Sequence, residues 1–204
     1  MDRAMGPSVL ARPAVGRQPM AGKSAQARLL ERAKAGDPEA FIELTEPYRR
    51  RMYAVVARMV GRADAEDVVQ EAFIRAFRSI GRFRGDASLS TWLTRIAINL
   101  AIRHSNKQRR RATDSLDALE WEEPSEDPPS TAQAMAVRQA VAELSPKLRA
   151  AVVLFYFEGL SLDETADALA INRGTAASRL HEARRRLRER LGTAYDREQG
   201  WYAE

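Results

Sequence analysis

Apolar side chains recur every three or four residues along most of the chain, a spacing typical of amphipathic α-helices. The pattern predicts four helices in the first half of the chain, at residues 25–35, 38–60, 65–80 and 89–103. Turn residues agree with these limits, because Asp37 and Pro38 suit a helix start and Gly36 and Gly61 suit helix ends. The many Ala, Leu, Arg and Glu residues are good helix formers, so the first half is predicted to be all-helical.

The second half repeats the helical pattern with its own start and stop signals. Four more helices are predicted, at residues 132–144, 146–159, 161–170 and 173–191. Ser145 and Pro146 are predicted to cap and start the second of these, and Gly159 to end it. Ser161 and Glu164 have the spacing of a capping box, in which each side chain satisfies a backbone N–H group at the helix start.

The two sets of helices are separated by a segment without periodicity. Residues 112–131 contain seven acidic residues and three prolines but no Lys or Arg, which indicates a flexible acidic linker. The sequence therefore predicts an all-α protein of two small helical domains, at residues 25–111 and 132–192. A disordered leader at residues 1–24 and a tail at residues 193–204 are expected outside these domains.

Composition limits the possible functions. The formal net charge is +5, which suits a nucleic-acid partner. The absence of cysteine excludes disulfides and thiolate chemistry, and it agrees with a cytoplasmic location. No apolar stretch is long enough to cross a bilayer, so direct membrane insertion is not expected. With only two histidines, and with no nucleophile–base set or phosphate-binding glycine loop, we expect no enzyme, cofactor or metal.

Residues 161–191 have the pattern of a helix-turn-helix, with a short capped helix, a tight turn and a longer Arg-rich helix that Asn172 can cap. The second helix of such a motif enters the major groove of DNA. An arginine side chain there can grip phosphates or the edge of guanine. This segment alone leaves open a solvated helix with ordinary ion pairs, because Glu182 and Glu189 lie among the arginines.

Longer runs of sequence carry a more specific resemblance. The runs DAEDVVQEAFIRAF (64–77) and FRGDASLSTWLTRIAINLA (83–101) resemble the promoter-opening domain, sigma domain 2, of extracytoplasmic-function sigma factors of bacterial RNA polymerase. The run ELSPKLRAAVVLFYFEGLSLDETADALAINRGTAASRLHEARRRLRERL (143–191) resembles sigma domain 4, which binds the minus-thirty-five promoter element. The resemblance implies an alternative, stress- or envelope-responsive sigma factor that binds core polymerase and directs initiation.

In this family, the helix that matches residues 64–77 docks on a coiled coil of the largest polymerase subunit. The resemblance implies this role for one polar helical face, formed by Asp67, Gln70, Glu71 and Ile74. The same carboxylates are also explained as a solvated face that gains from the helix dipole. A metal site is a third interpretation, which the absence of a nearby histidine disfavours.

The loop and helix at residues 83–103 match the family's minus-ten reader, where a base of the non-template strand flips into a pocket. The resemblance implies that Asn99 reads this base and that a variable loop sets specificity. The loop residues are Arg84, Gly85, Asp86, Ala87, Ser88 and Leu89. Arg103 is a further minus-ten residue, on one helical stripe with Trp92, Ile96 and Asn99. Lys107, Arg109, Arg110 and Arg111 are expected to follow the phosphate backbone. Each role has an alternative explanation. Trp92 can be a core anchor, and Asn99 can be an amide whose hydrogen bonds are satisfied at the helix end. The basic residues after it can be a charged flank with no specific role.

The resemblance also implies that the last helix reads the minus-thirty-five element as duplex DNA. The implied residues are Arg173, Thr175, Ala177, Ser178, Arg179, His181, Glu182, Arg184 and Arg185. Family members usually carry a basic residue at the position of Ala177, and often one at that of Glu182. Glu182 can accept a hydrogen bond from cytosine or repel phosphate, and the sequence leaves both open.

The expected partners are core RNA polymerase and promoter DNA, with a duplex upstream element and a single-stranded minus-ten element. Members of the family are often held by an anti-sigma protein, and no residue indicates whether one binds this chain. We expect a monomer when the protein is free. The main competing hypothesis is a stand-alone helix-turn-helix regulator that dimerises on a palindrome. It would leave residues 64–101 without a role.

Overall fold

A computed structural model describes residues 20–114 and 132–192, and within these ranges it contains helices and no strand. The predicted tail, and most of the predicted linker and leader, lie outside the described residues, whereas residues 20–24 and 112–114 are helical. The α-helices of the described ranges are α1 Met20–Lys34, α2 Pro38–Val60, α3 Arg62–Ser79, α4 Leu89–Asp114, α5 Ala132–Glu143, α6 Pro146–Val152, α7 Leu162–Leu169 and α8 Arg173–Leu191. A 3-10 turn spans Ile80–Arg82, and a π-helical stretch spans Val153–Phe157. The prediction of an all-α fold is confirmed.

Local sequence signals set the limits of α2 as predicted. The Asp37 carboxylate caps the helix by accepting hydrogen bonds from the backbone N–H groups of Glu39 and Ala40 at 3.0 and 3.1 Å. Gly36 and Gly61 flank the helix with φ of 94° and 85°, a region that favours glycine. The periodic apolar side chains between them form the core of the first domain. The buried members are Phe41, Leu44, Met52, Val55, Val56 and Met59.

Helix α4 differs from the prediction, which ended it at residue 103. It continues to Asp114, so the basic residues 107–111 lie on a regular helix. The run contains Lys, Gln and Arg, which favour helices, and no glycine or proline. Ser105 is buried there, and its hydroxyl donates to the carbonyl of Met59 at the end of α2 at 3.1 Å. This contact ties the extension to the core.

The second domain agrees with two of the three predicted caps. Ser161 and Glu164 form the capping box of α7, and Asn172 caps α8 by accepting from the backbone N–H of Thr175 at 2.7 Å. The predicted cap at Ser145 is wrong, because its side chain makes no capping hydrogen bond and Pro146 alone marks the start of α6. The helix predicted for residues 146–159 is α6 followed by the π-helical stretch.

The two domains pack against each other. Helices α6 and α7 of the second domain lie against α4, and α2 contacts α6 and the π-helical stretch. Buried residues from both domains form one continuous hydrophobic cluster, to which Leu93 and Ile98 contribute from the first and Leu154 and Leu169 from the second. None of the described helices is both long enough and apolar enough to cross a membrane.

Candidate polymerase and promoter interfaces

Helix α3 places the four residues predicted to dock on polymerase along one outward face. Asp67, Gln70, Glu71 and Ile74 are all exposed, and 51% of the Ile74 surface is accessible to solvent. The opposite face packs into the core through residues that include Val68, Val69, Ala72 and Ala76. Because burial of that apolar face fixes the rotation of α3, the polar strip is held outward.

The strip on α3 is acidic but partly neutralised. Glu71 accepts from Arg75 at 2.5 Å, one helical turn further along, and neighbouring Glu66 lies 3.4 Å from Arg49 of α2. These pairs are exposed and contribute little stability, so a partner can displace them at low cost. The exposed Ile74 lies beside Glu71 and gives the strip one apolar contact point.

The predicted specificity loop leads directly into α4. Ser88 caps this helix, because its hydroxyl accepts from the backbone N–H of Thr91 at 3.0 Å. Arg84, Gly85 and Asp86 are exposed, whereas Leu89 is buried in the core and anchors the end of the loop. Gly85 has a φ of 84°, so the loop bends there through a conformation that other residues rarely adopt. The outermost loop side chains are therefore free to meet a base.

One side of α4 forms a continuous stripe that begins under this loop. The ring of Trp92 packs on the ring of Phe83, with centroids 5.3 Å apart, so Trp92 joins the helix to the loop. Further side chains follow at spacings of three or four residues, which places them on the same face. The stripe consists of Trp92, Ile96, Asn99, Arg103, Lys107 and Arg110. Arg103, Lys107 and Arg110 are exposed, whereas Trp92, Ile96 and Asn99 are half-buried.

Arg109 falls outside the spacing of the stripe. It lies on the side of α4 that approaches α6, where its charge contributes to lowering the pKa of buried Arg149. Of the residues on α4 that were predicted to contact the minus-ten element, the structure brings together Asn99, Arg103, Lys107 and Arg110, whereas Arg109, Arg111 and the buried Leu89 lie off the stripe.

Helix α8 presents the predicted duplex-reading face outward, because its other face is buried through Ala176, Leu180, Ala183 and Leu187. The exposed members of the predicted set are Arg173, Ser178, His181 and Arg185. The half-buried members are Thr175, Ala177, Arg179, Glu182 and Arg184. Arg173 also approaches Asp163 of α7 at 3.6 Å, which links the two helices of the motif. A helix-turn-helix with this exposed face fits the major groove of duplex DNA.

Glu182 occupies the centre of this face and holds two arginines. It accepts from Arg185 at 2.7 and 2.9 Å and from Arg186 at 2.7 Å. Arg185 also pairs with Glu189 at 2.5 Å. Hydrogen bonds from Arg185, and then from Arg186, lower the pKa of Glu182 to about 2. Glu182 is therefore ionised at neutral pH, and it offsets part of the positive charge of α8.

Two neighbours of this face were not among the residues that the resemblance implies. Arg186 shares the Glu182 carboxylate, and its separation of four residues from Glu182 could have indicated the pair. Tyr156 of the π-helical stretch lies near Arg184. Burial raises the pKa of the Tyr156 phenol, and the charge of Arg184 acts in the opposite direction. No sequence pattern indicated that contact, because it joins separate elements.

These features define an all-α protein with a helix-turn-helix and a second, polar helical stripe suited to nucleic acid. A family model described as Sigma-70 region 2 matches residues 44–111, and one described as Sigma-70, region 4 matches residues 134–187. With relatives among the sigma factors that are 37% identical over 76–80% of its length, the chain belongs to the extracytoplasmic-function sigma factors of bacterial RNA polymerase. It is therefore an alternative sigma factor that binds core polymerase and directs promoter-specific initiation, in a family of non-enzymatic initiation factors.

Individual relatives agree with this membership. The RNA polymerase sigma-H factor of Pseudomonas aeruginosa is 37% identical over 178 residues, which cover 80% of this chain and 92% of that protein. The ECF RNA polymerase sigma-E factor of Escherichia coli K12 is 37% identical over 169 residues, which cover 76% and 88%.

Solved structures show the same fold. The sigma factor RpoE, in complex with the anti-sigma factor NepR from Bartonella quintana, matches with a TM-score of 0.61 and 24% identity over 74% of this chain and 96% of that one. CnrH, in complex with the cytosolic domain of CnrY, matches with a TM-score of 0.58 and 25% identity over 85% and 99%.

Proposed function

We propose that the tasks of initiation are divided among three surfaces of this chain. The exposed strip on α3 docks on polymerase, the stripe on α4 reads and holds the single-stranded minus-ten element, and α8 reads the minus-thirty-five duplex. In this division, residues 25–111 form the docking and opening domain and residues 132–192 the duplex-binding domain. The chain itself catalyses no reaction.

The observation that carries this proposal is the stripe on α4. A half-buried amide at Asn99 lies between a ring pair under the loop and a row of exposed basic side chains. An amide offers both a donor and an acceptor, so it can discriminate the edges of bases. The basic side chains continue along the helix with the spacing needed to follow a phosphate backbone. A single strand can therefore run along the helix while one of its bases enters beside the loop.

Run-off transcription tests the function as a whole. Purified core polymerase is assayed with and without this protein on fragments of the host genome. We expect discrete start sites that require the protein, and their upstream sequences give the promoter elements. Absence of new transcripts, together with absence of binding to core polymerase, would favour the stand-alone DNA-binding regulator.

The pocket assignment is tested by Asn99→Ala on the promoters found in that assay. We expect a relaxed base preference at one minus-ten position with unchanged polymerase binding, because Asn99 is on α4 and not on the docking strip. Promoter libraries randomised at each minus-ten position measure this preference. Unaltered selectivity at every position would contradict the assignment.

The docking strip is tested by charge reversal. Glu71→Arg places a positive charge where the proposed partner helix is basic, so we expect a loss of polymerase affinity of at least about tenfold. Glu43→Arg on α2 is the matched control, since Glu43 is also exposed and lies off the strip. Equal effects of the two variants on polymerase affinity would show that the strip has no special role.

One solved neighbour, RpoE of Bartonella quintana, was determined with the anti-sigma factor NepR, and another, CnrH, with the cytosolic domain of CnrY. We propose that this chain is likewise controlled by an anti-sigma protein and serves a stress or envelope response. Isolation of the protein from its host with a stoichiometric partner that blocks run-off transcription would support this regulation.

A further inference from the structure

The segment between α3 and the specificity loop is rich in arginine. Residues 72–85 contain four arginines and no acidic residue. Three of them, Arg78, Arg82 and Arg84, are exposed, and they form no hydrogen bond or ion pair with another residue of the described ranges. Only Arg84 belongs to a surface described above. The positive charge of this segment is therefore open to a partner.

Apolar neighbours fix the backbone that carries these arginines. Ile80 is only 2% exposed, and its carbonyl accepts from the backbone N–H of Phe83 at 2.9 Å, which closes the 3-10 turn. The turn also packs against α1. Phe83 has extended backbone angles, so the side chains before and after it point away from its ring. Arg82 and Arg84 therefore project outward together, while the Phe83 ring lies on Trp92.

Arg78 extends this outward group onto helix α3. It lies in the last turn of α3, four residues before Arg82, and the helix continues directly into the 3-10 turn. Residues four apart on such a helix lie on the same side. Arg78, Arg82 and Arg84 together form an arginine patch. The exposed carboxylate of Asp86 follows in the loop, so it offsets one of the three positive charges.

The arginine patch and the basic part of the α4 stripe lie on opposite sides of the proposed base pocket. The Phe83 ring joins the patch to Trp92, which begins the stripe. Asn99 follows Trp92 by two helical turns, or about 10 Å along the helix. Arg103 and Lys107 lie further along the stripe in the same direction. Basic side chains thus stand on both sides of Asn99 along one path.

The chemistry of the patch suits the backbone of a nucleic acid. A single strand carries one phosphate per nucleotide, and a planar guanidinium can bind a phosphate through two parallel N–H groups. We propose that the arginine patch binds phosphates of the non-template strand beyond the flipped base, on the side that the basic part of the α4 stripe does not reach. The proposal rests on the role in promoter reading given above to Asn99 and the α4 stripe.

Contacts of this kind position the strand and do not read it. Phosphates are the same in every nucleotide, so the patch holds the strand in register on one side of the pocket without a base preference. It therefore stabilises the open strand and leaves the preferred promoter sequence unchanged. Arg84 also belongs to the specificity loop, so Arg78 and Arg82 are the residues that separate the two roles.

Binding of short promoter strands by the holoenzyme tests the patch. The probes are fluorescent non-template oligonucleotides that carry the minus-ten bases alone, or the same bases extended by a few nucleotides on the 5′ or the 3′ side. Anisotropy over a salt series gives their affinities. We expect Arg82→Glu to weaken binding of one extended probe by at least about tenfold and to lower its salt slope by about 0.7. Lys107→Glu should weaken binding of the probe extended on the other side.

Arg28→Glu is the matched control, because Arg28 is exposed on α1 outside the patch and the change of charge is the same. It should leave the affinity for all probes unchanged. Equal losses from Arg28→Glu and Arg82→Glu would overturn the proposal, and so would extensions that add no affinity. Loss of the same extension's gain in Arg82→Glu and Lys107→Glu would also overturn it, as would an altered base preference in Arg82→Glu.

Site-specific cross-linking locates the strand directly. The chain has no cysteine, so Arg82→Cys provides a single thiol for a photoactivatable cross-linker. We expect the label to join a nucleotide of the extension that Arg82→Glu affects, and joining to polymerase in place of DNA would refute the proposal. If the chain forms no holoenzyme, the proposed function fails. Cross-linking of the free Arg82→Cys chain to the extended strand, in competition with an acidic peptide of equal charge, then decides the proposal, and preference for the peptide would refute it.

Discussion

At the scale of single residues, the surroundings of each arginine decide what it does. Arg185 is exposed on α8, and its hydrogen bonds to Glu182 raise its pKa further above the ordinary value. Arg149 is buried, and it binds backbone carbonyls in place of carboxylates. An exposed arginine such as Arg185 can exchange its carboxylate partner for a phosphate at little cost in free energy. A buried arginine such as Arg149 cannot leave its partners without destabilising the fold.

Glu182→Gln removes the carboxylate that holds Arg185 and Arg186. We expect tighter binding to duplex DNA of any sequence at low salt and a slope of log affinity against log salt that is steeper by about 1–2, because more arginines reach phosphates. The depressed pKa of about 2 means that Glu182 stays charged down to that pH, so the effect should be constant between pH 6 and 8. Fluorescence anisotropy over a salt series measures it, and an unchanged slope would contradict the prediction.

Arg184→Ala tests base reading by a residue whose charge acts on the phenol of neighbouring Tyr156. If Arg184 makes a bidentate base contact, its loss should weaken recognition of the minus-thirty-five element by about 1–3 kcal/mol. Binding of holoenzyme to promoters with native and scrambled upstream elements gives the difference. Equal losses on both DNAs would instead indicate a phosphate contact.

At the scale of elements, local chemistry made some limits predictable and others not. The caps at Asp37, Ser161 and Asn172 depend on residues within three positions of each other, so the sequence alone located them. The contact that ties the extension of α4 to the core joins Ser105 to Met59, which lies 46 positions earlier in the chain. The spacing of apolar residues cannot indicate a hydrogen-bond partner that is so distant in the sequence.

Ser161→Ala tests the capping box at the start of the helix-turn-helix. Helix α7 has eight residues, so one lost cap removes a large share of its local stabilisation. We expect a decrease in the free energy of unfolding of about 1 kcal/mol, measured by urea denaturation. Ser178→Ala is the matched control, because Ser178 is exposed within α8, where Ala is the better helix former. A decrease of equal size in both variants would rule out a specific cap.

At the scale of the whole molecule, the sequence predicted two domains but not that they touch. The spacing of apolar residues indicated the apolar faces of α4 and α7, but it does not indicate which element packs on each face. Arg149 carries a charge that, in the sequence, indicates a solvent-exposed position. Its burial depends on unpaired carbonyls at the ends of two helices, which only the assembled fold brings together.

Arg149→Met and Arg149→Lys test how far this residue joins the domains. Met fills a similar volume without hydrogen bonds, so the carbonyls of Ala142 and Leu144 lose their contact with Arg149, whereas Met59 keeps Ser105. We expect a loss of about 3 kcal/mol in the free energy of unfolding, measured by urea denaturation. Lys keeps the charge but lacks the planar fork that spans several acceptors, so it should recover only part of the loss. Full recovery by Lys would mean that charge at the helix ends is sufficient. A cost below about 0.5 kcal/mol in both variants would mean that apolar packing alone holds the domains together.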